Sequence, residues 1–166
     1  MKRALPAAFL AIVTFTLPAF ADDPILSRLA GNWTGRGSYQ QSASTKEERV
    51  FCKITNTLVQ NGTALQQRGR CSVASGSSAI NGLIQATGGG RYSGTLNSLA
   101  TDGPTQLSGS GSGSTLTLTM TFVDGHTHEP AKSVATMTLR SNGYRLRTTR
   151  RDGGKSWTPT DISFSK

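Results

Sequence analysis

The residues best equipped for chemistry are two histidines, two cysteines, an early tryptophan and a late run of arginines. His126 and His128 form an H-x-H pair beside Asp124 and Glu129. Imidazole and carboxylate at that spacing suit Zn²⁺ or Cu²⁺, and on a strand residues i and i+2 share a face. No third ligand stands at a telling distance, so a solvated polar loop is the competing reading and no metal or other cofactor is expected. Cys52 and Cys71 are the whole cysteine complement. They lack the C-x-x-C spacing of a redox pair, which points to a structural disulfide. No G-x-S-x-G occurs. Neither Gly35-Arg36-Gly37 nor Gly88-Gly89-Gly90 completes a phosphate-binding turn. No residue earns a catalytic role, and an enzyme is not expected.

These residues need elements to position them, and composition restricts the choice. More than a third of the 166 residues are Gly, Ser or Thr, and only 16% are charged. Weak helix formers at that density argue against a helical bundle, and the missing heptads against a coiled coil. Residues 1–21 carry Lys2 and Arg3, then an apolar run from Ala7 to Leu17, then Ala19-Phe20-Ala21. That order reads as a secretory signal peptide cleaved near Ala21, with the apolar run too short for a stable membrane anchor. No later segment is long and apolar enough to cross a membrane as a helix. The expected body is one domain, residues 22–166, in the periplasm or secreted, where thiols oxidise.

From Trp33 onward the pattern is alternation with a turn signal every few residues. Val50, Cys52, Ile54 and Leu58 alternate before Asn61-Gly62, a type I′ hairpin signal. A two-residue loop there sets Leu58 against Leu65, Ile54 against Gly69 and Cys52 against Cys71, within reach of a disulfide. Leu116, Leu118, Met120 and Phe122 face one way and four threonines the other. Gly-Ser-Gly-Ser-Gly at 109–113 reads as strand rather than linker. Pro159 suggests an edge or bulge. The prediction is all-β: an antiparallel meander of nine or ten strands closing as a small barrel, after a short helical turn at 25–30. Phe51, Phe122, Phe164, Tyr39 and Trp157 are its expected inward aromatics.

Gly31-Asn32-Trp33, at the start of the first strand, resembles the G-x-W opening of lipocalins and related calycin-type barrels. That resemblance implies that Trp33 plugs one barrel end. It also implies that a late Arg packs on it, with Arg150 the candidate, and that an apolar or amphiphilic ligand occupies the lumen. The lipocalin C-terminal helix has no counterpart here. Trp33-Thr34-Gly35-Arg36-Gly37 also resembles the first strand of nitrobindin-like haem barrels, without the C-terminal histidine that chemistry requires. In style the chain resembles small exported proteins of Gram-negative bacteria.

Charge supplies a second reading. The net charge is +9, and no Lys or Arg falls between Tyr92 and Ala131, whereas eight follow from Lys132 to Lys166. A two-residue Asn142-Gly143 turn sets Leu139 against Leu146, Met137 against Thr148 and Arg140 against Arg145, with Arg147 and Arg151 on the same outer side. Arg68, Arg70 and Lys53 share the outer side of the earlier hairpin. Like charges face to face are unfavourable, so such a face is either solvated or meets an anion. The expected partner is a lipid or other amphiphile in the lumen. The alternative is an anionic glycolipid, polysaccharide or protein on the Arg face. Nucleic acid is not expected outside the cytoplasm.

Overall fold

The computed structural model describes residues 22–97 and 101–166. The expected signal peptide lies outside the described residues. After a six-residue helix, α1 (Pro24–Leu29), come ten strands: β1 (Gly31–Tyr39), β2 (Glu48–Val59), β3 (Ala64–Val73), β4 (Gly76–Gly88), β5 (Arg91–Asn97), β6 (Thr101–Ser112), β7 (Thr115–Asp124), β8 (Pro130–Arg140), β9 (Gly143–Asp152) and β10 (Lys155–Ser165). Each strand pairs antiparallel with the next, and β10 returns to pair with β1, so the barrel is closed. Closure satisfies the backbone groups an open meander would leave on its edges. Among the described residues no helix is long and apolar enough to cross a membrane.

Alternation sorts the side chains. Leu116 and Leu118 are fully buried while their threonine neighbours point outward, the pattern read from the sequence. The interior continues through Val50, Cys52, Ile54, Leu65, Ile84, Leu107, Ile162 and Phe164. Phe51 is a correction. It lies between inward Val50 and Cys52, so period two turns it outward, 38% exposed and under the Arg36 guanidinium at 5.4 Å.

The first hairpin keeps the predicted register, with Leu58 opposite Leu65, Ile54 opposite Gly69 and Cys52 opposite Cys71. The two cysteines are joined, with an S–S distance of 2.04 Å. The turn itself differs: the ladder ends at Val59–Ala64, and Gln60–Thr63 form a four-residue loop. Gln60, Asn61 and Gly62 take φ of 53°, 53° and 79° in succession.

The second hairpin differs more. Leu139 faces Tyr144, Met137 faces Leu146, Arg140 faces Gly143 and Arg145 faces Thr138. The turn is therefore Ser141-Asn142, and Arg140 does not oppose Arg145. Gly143 belongs to the ladder, and a Cβ there would lie 2.0 Å from the Phe164 carbonyl oxygen. The glycine serves close approach to β10 rather than turn geometry. Because the slip is two residues, every side chain keeps its face, and Arg145, Arg147 and Arg151 remain outward. The Gly-Ser repeat at 109–112 is strand, as expected, paired with Thr115–Leu118. Pro159 lies in an irregularity of the β9–β10 ladder between Trp157 and Thr160.

Candidate functional site

The two barrel ends are built differently. α1 seals the end at which β1 begins. Asp23 caps its N-terminus, accepting from the Ile25 and Leu26 amides at 3.0 Å each, with Pro24 in the first turn. Ile25, Leu26 and Leu29 are buried against the strand interiors. Gly111 makes room for the helix: a Cβ there would meet the Ile25 side chain at 2.6 Å. The Leu29 carbonyl accepts from the Trp33 indole and from the Asn56 amide, both at 2.8 Å. The Tyr92 hydroxyl donates to the Asp23 carboxylate at 3.0 Å, and burial together with that carboxylate pushes the phenol pKa far up.

Trp33 does sit in this plug, edge-on to Tyr144 at 5.2 Å, and Tyr144 stacks on Phe164 at 4.5 Å. Burial raises the Tyr144 pKa strongly. The cation over the Trp33 ring is Lys166, at 5.2 Å. Arg150, the expected packing partner, is elsewhere. It is inward-facing on β9 but near the far end of the strand, where it pairs with Trp157 of β10.

Between the plug and that far end lies a cavity of about 580 Å³. Its wall is mostly apolar, with Ile54, Ile84, Leu107, Leu118, Met137 and Ile162 contributed by six different strands. Three small hydroxyl residues, Thr105, Ser133 and Thr148, are buried in the same wall. The Thr148 hydroxyl is fully buried with no hydrogen-bond partner in the protein. A buried hydroxyl without a partner costs on the order of 1–3 kcal/mol.

At the rim, Arg150 holds two carboxylates. It donates through Nη1 to Asp124 at 2.5 Å and through Nε to Asp152 at 3.0 Å. The Trp157 indole donates to the second Asp152 oxygen at 2.7 Å, and the guanidinium lies 5.8 Å from the Phe122 ring and 5.9 Å from that of Trp157. Burial works to raise the Asp124 pKa, but Arg150 and the His126 and Thr127 amides outweigh it and hold the carboxyl below its usual value. Tyr39, beside this cluster, is pushed up by burial and by the charges of Asp124 and Glu48. Charge at the rim is thus committed within the rim.

The histidines part company. His126 lines the cavity mouth, while His128, at φ 58°, turns its Nδ1 to the exposed Asp102 carboxylate. Among the described residues no group of three or more His, Cys, Asp and Glu is placed to hold a metal ion. Of the expected anion-binding arginines, Arg145 is in a bidentate pair with Asp161, at 2.6 Å through both Nε and Nη2. Arg147 reaches the Thr158 hydroxyl at 3.3 Å, and Arg140 and Arg151 are exposed.

Sequence reasoning missed the rim cluster and the lumenal hydroxyls. Arg150 carried a usable signal, since its parity on β9 is inward. Asp124 and Asp152 each stand at the end of a strand, and their convergence on Arg150 depends on the way neighbouring ladders align. The chain matches no protein-family model and no curated protein.

Proposed function

We propose that this is a non-enzymatic exported binding protein that carries an apolar or amphiphilic small molecule in its barrel, in the manner of calycin-type carriers. The cavity carries the reading. At about 580 Å³ it falls within the 300–1,000 Å³ or so of small-molecule sites, and its walls have their composition: mostly apolar, with a few placed polar groups. The helical plug supports it, since the tail of an occupant would meet Tyr144 and Phe164, backed by Trp33, rather than water. Arg150 is already shared by two carboxylates, so the favoured head group is uncharged and hydrogen-bonding rather than a carboxylate competing for that guanidinium. The disulfide and the signal-like segment at 1–21 support export, with a mature chain beginning near Asp22.

The test is displacement of an environment-sensitive lipid probe from the purified protein by long-chain alcohols and by fatty acids. Saturable uptake is expected, with alcohols displacing the probe at least as well as the acids. Met137→Trp, which fills the lumen, should abolish uptake while the protein still melts cooperatively. No saturable uptake by the folded wild type, or equal uptake by the filled variant, would refute the reading. Mass analysis of the mature chain after cell fractionation checks cleavage and export together.

A further inference from the structure

Barrel closure does something to charge that the linear sequence conceals. The basic residues of the first hairpin and those near the C-terminus are about a hundred positions apart, yet β10 pairs with β1, so β9, β10, β1, β2 and β3 are contiguous. Tracing the ladders outward gives one wall. Arg145 neighbours Ser163, which neighbours Arg36, which neighbours Phe51. Lys53 stands between Thr34 and Arg70, and Arg68 beside Thr55. Arg49, Arg147 and Arg151 complete the set of outward cations on these five strands, against a single outward acid, Asp161. Among the described residues, Arg145–Asp161 is the one ion pair on this wall. The outward positions of β4 to β7 are the opposite case: chiefly Ser, Thr, Asn and Gln, with Arg91 the lone basic residue.

We infer that the β9–β10–β1–β2–β3 wall is a docking surface for an anionic lipid bilayer. Charge complementarity on one side of the barrel selects an anionic partner. Phe51 selects a bilayer over a soluble polyanion: it is a large exposed apolar side chain set among Arg36, Lys53 and Arg70, the pairing of aromatic and basic residues found at membrane interfaces. The surface is independent of what fills the lumen.

The experiment is co-sedimentation of the full protein with phosphatidylcholine vesicles, with and without phosphatidylglycerol, at low and moderate salt, beside binding to soluble dextran sulfate. Binding is expected only with phosphatidylglycerol and is expected to weaken with salt. Arg36→Gln/Lys53→Gln/Arg70→Gln should weaken it about a hundredfold, at roughly fivefold per cation. Arg28→Gln/Lys46→Gln/Arg91→Gln, with the same net charge and all three outside the five strands, should weaken it far less. Phe51→Ser should weaken vesicle binding about tenfold and leave dextran sulfate binding unchanged. Should the wall triple variant not fold, Lys53→Gln alone, expected to lose about fivefold, replaces it. Equal losses in the two triple variants would overturn the proposal, because only total charge would then matter. A Phe51→Ser variant that binds vesicles like wild type would overturn it in favour of an anionic polymer.

Discussion

Replacing Arg150 with Met tests the rim cluster most directly. The substitution keeps most of the side-chain volume and removes the guanidinium between Asp124 and Asp152. In the ion pair to be broken, Arg150 is 15% exposed and Asp124 14% exposed, so a largely desolvated carboxylate loses its cation. Breaking a fully buried pair costs about 3–5 kcal/mol, and the residual solvent access here brings the expectation to about 2–3 kcal/mol. At roughly 2–4 °C per kcal/mol for a chain of this size, Tm should fall by roughly 4–12 °C near neutral pH. The pH dependence is the sharper readout. In the wild type the Asp124 pKa is depressed, so its contribution is present above the ordinary carboxylate pKa and lost as pH falls through the folded value. In Arg150→Met, burial is no longer opposed by the guanidinium, and the folded pKa should rise. The stability difference between the two proteins should therefore be largest near neutrality and shrink below about 1 kcal/mol near pH 3. Denaturant unfolding across that range measures it, and Arg150→Met/Asp124→Asn should recover most of the loss at neutral pH. A difference that stays constant from acid to neutral would show that Arg150 acts by packing on Phe122 and Trp157, and would refute the electrostatic account.

Other outcomes are as definite. Reducing the Cys52–Cys71 bond, or replacing both with Ala, should lower stability by about 3 kcal/mol from the 19-residue separation it spans, read as a Tm shift on adding reductant. Thr148→Val should raise the Tm of the ligand-free protein, by relief of about 1–2 kcal/mol, since the hydroxyl it removes has no protein partner. Trp33→Phe should cost about 1–2 kcal/mol in denaturant unfolding, because the indole bond to the Leu29 carbonyl is lost while Asn56 still holds that carbonyl.

Much of the architecture was legible because period-two alternation and turn chemistry are local. The β2–β3 hairpin is the best case: apolar faces, a left-handed turn and two cysteines all required one register. The β8–β9 hairpin shows the limit. Asn142-Gly143 has the composition of a two-residue turn, yet Gly143 answers to the carbonyl of Phe164 on the next strand. A dipeptide signal cannot reveal which of two neighbours it serves. The same holds at the plug, where Lys166 rather than Arg150 lies over Trp33. Parity says that Arg150 points inward, but only the direction and stagger of β9 say at which end. The cationic wall was visible as two separate groups, and their union required the pairing of β1 with β10.

That pairing also sets a clock. The Cys52–Cys71 hairpin joins neighbours in sequence and can assemble as soon as both its strands exist. The β1–β10 seam joins Thr34 to Ser165 and Tyr39 to Thr160, and no barrel exists until it forms. A chain emerging N-terminus first must wait with β1 unpaired on one side until nearly the last residue has arrived. Contacts so distant in sequence form slowly, and waiting strand edges invite intermolecular pairing. An oxidised hairpin would hold β2 and β3 in register through that interval, giving β1 a fixed edge to pair with while its other partner is still missing.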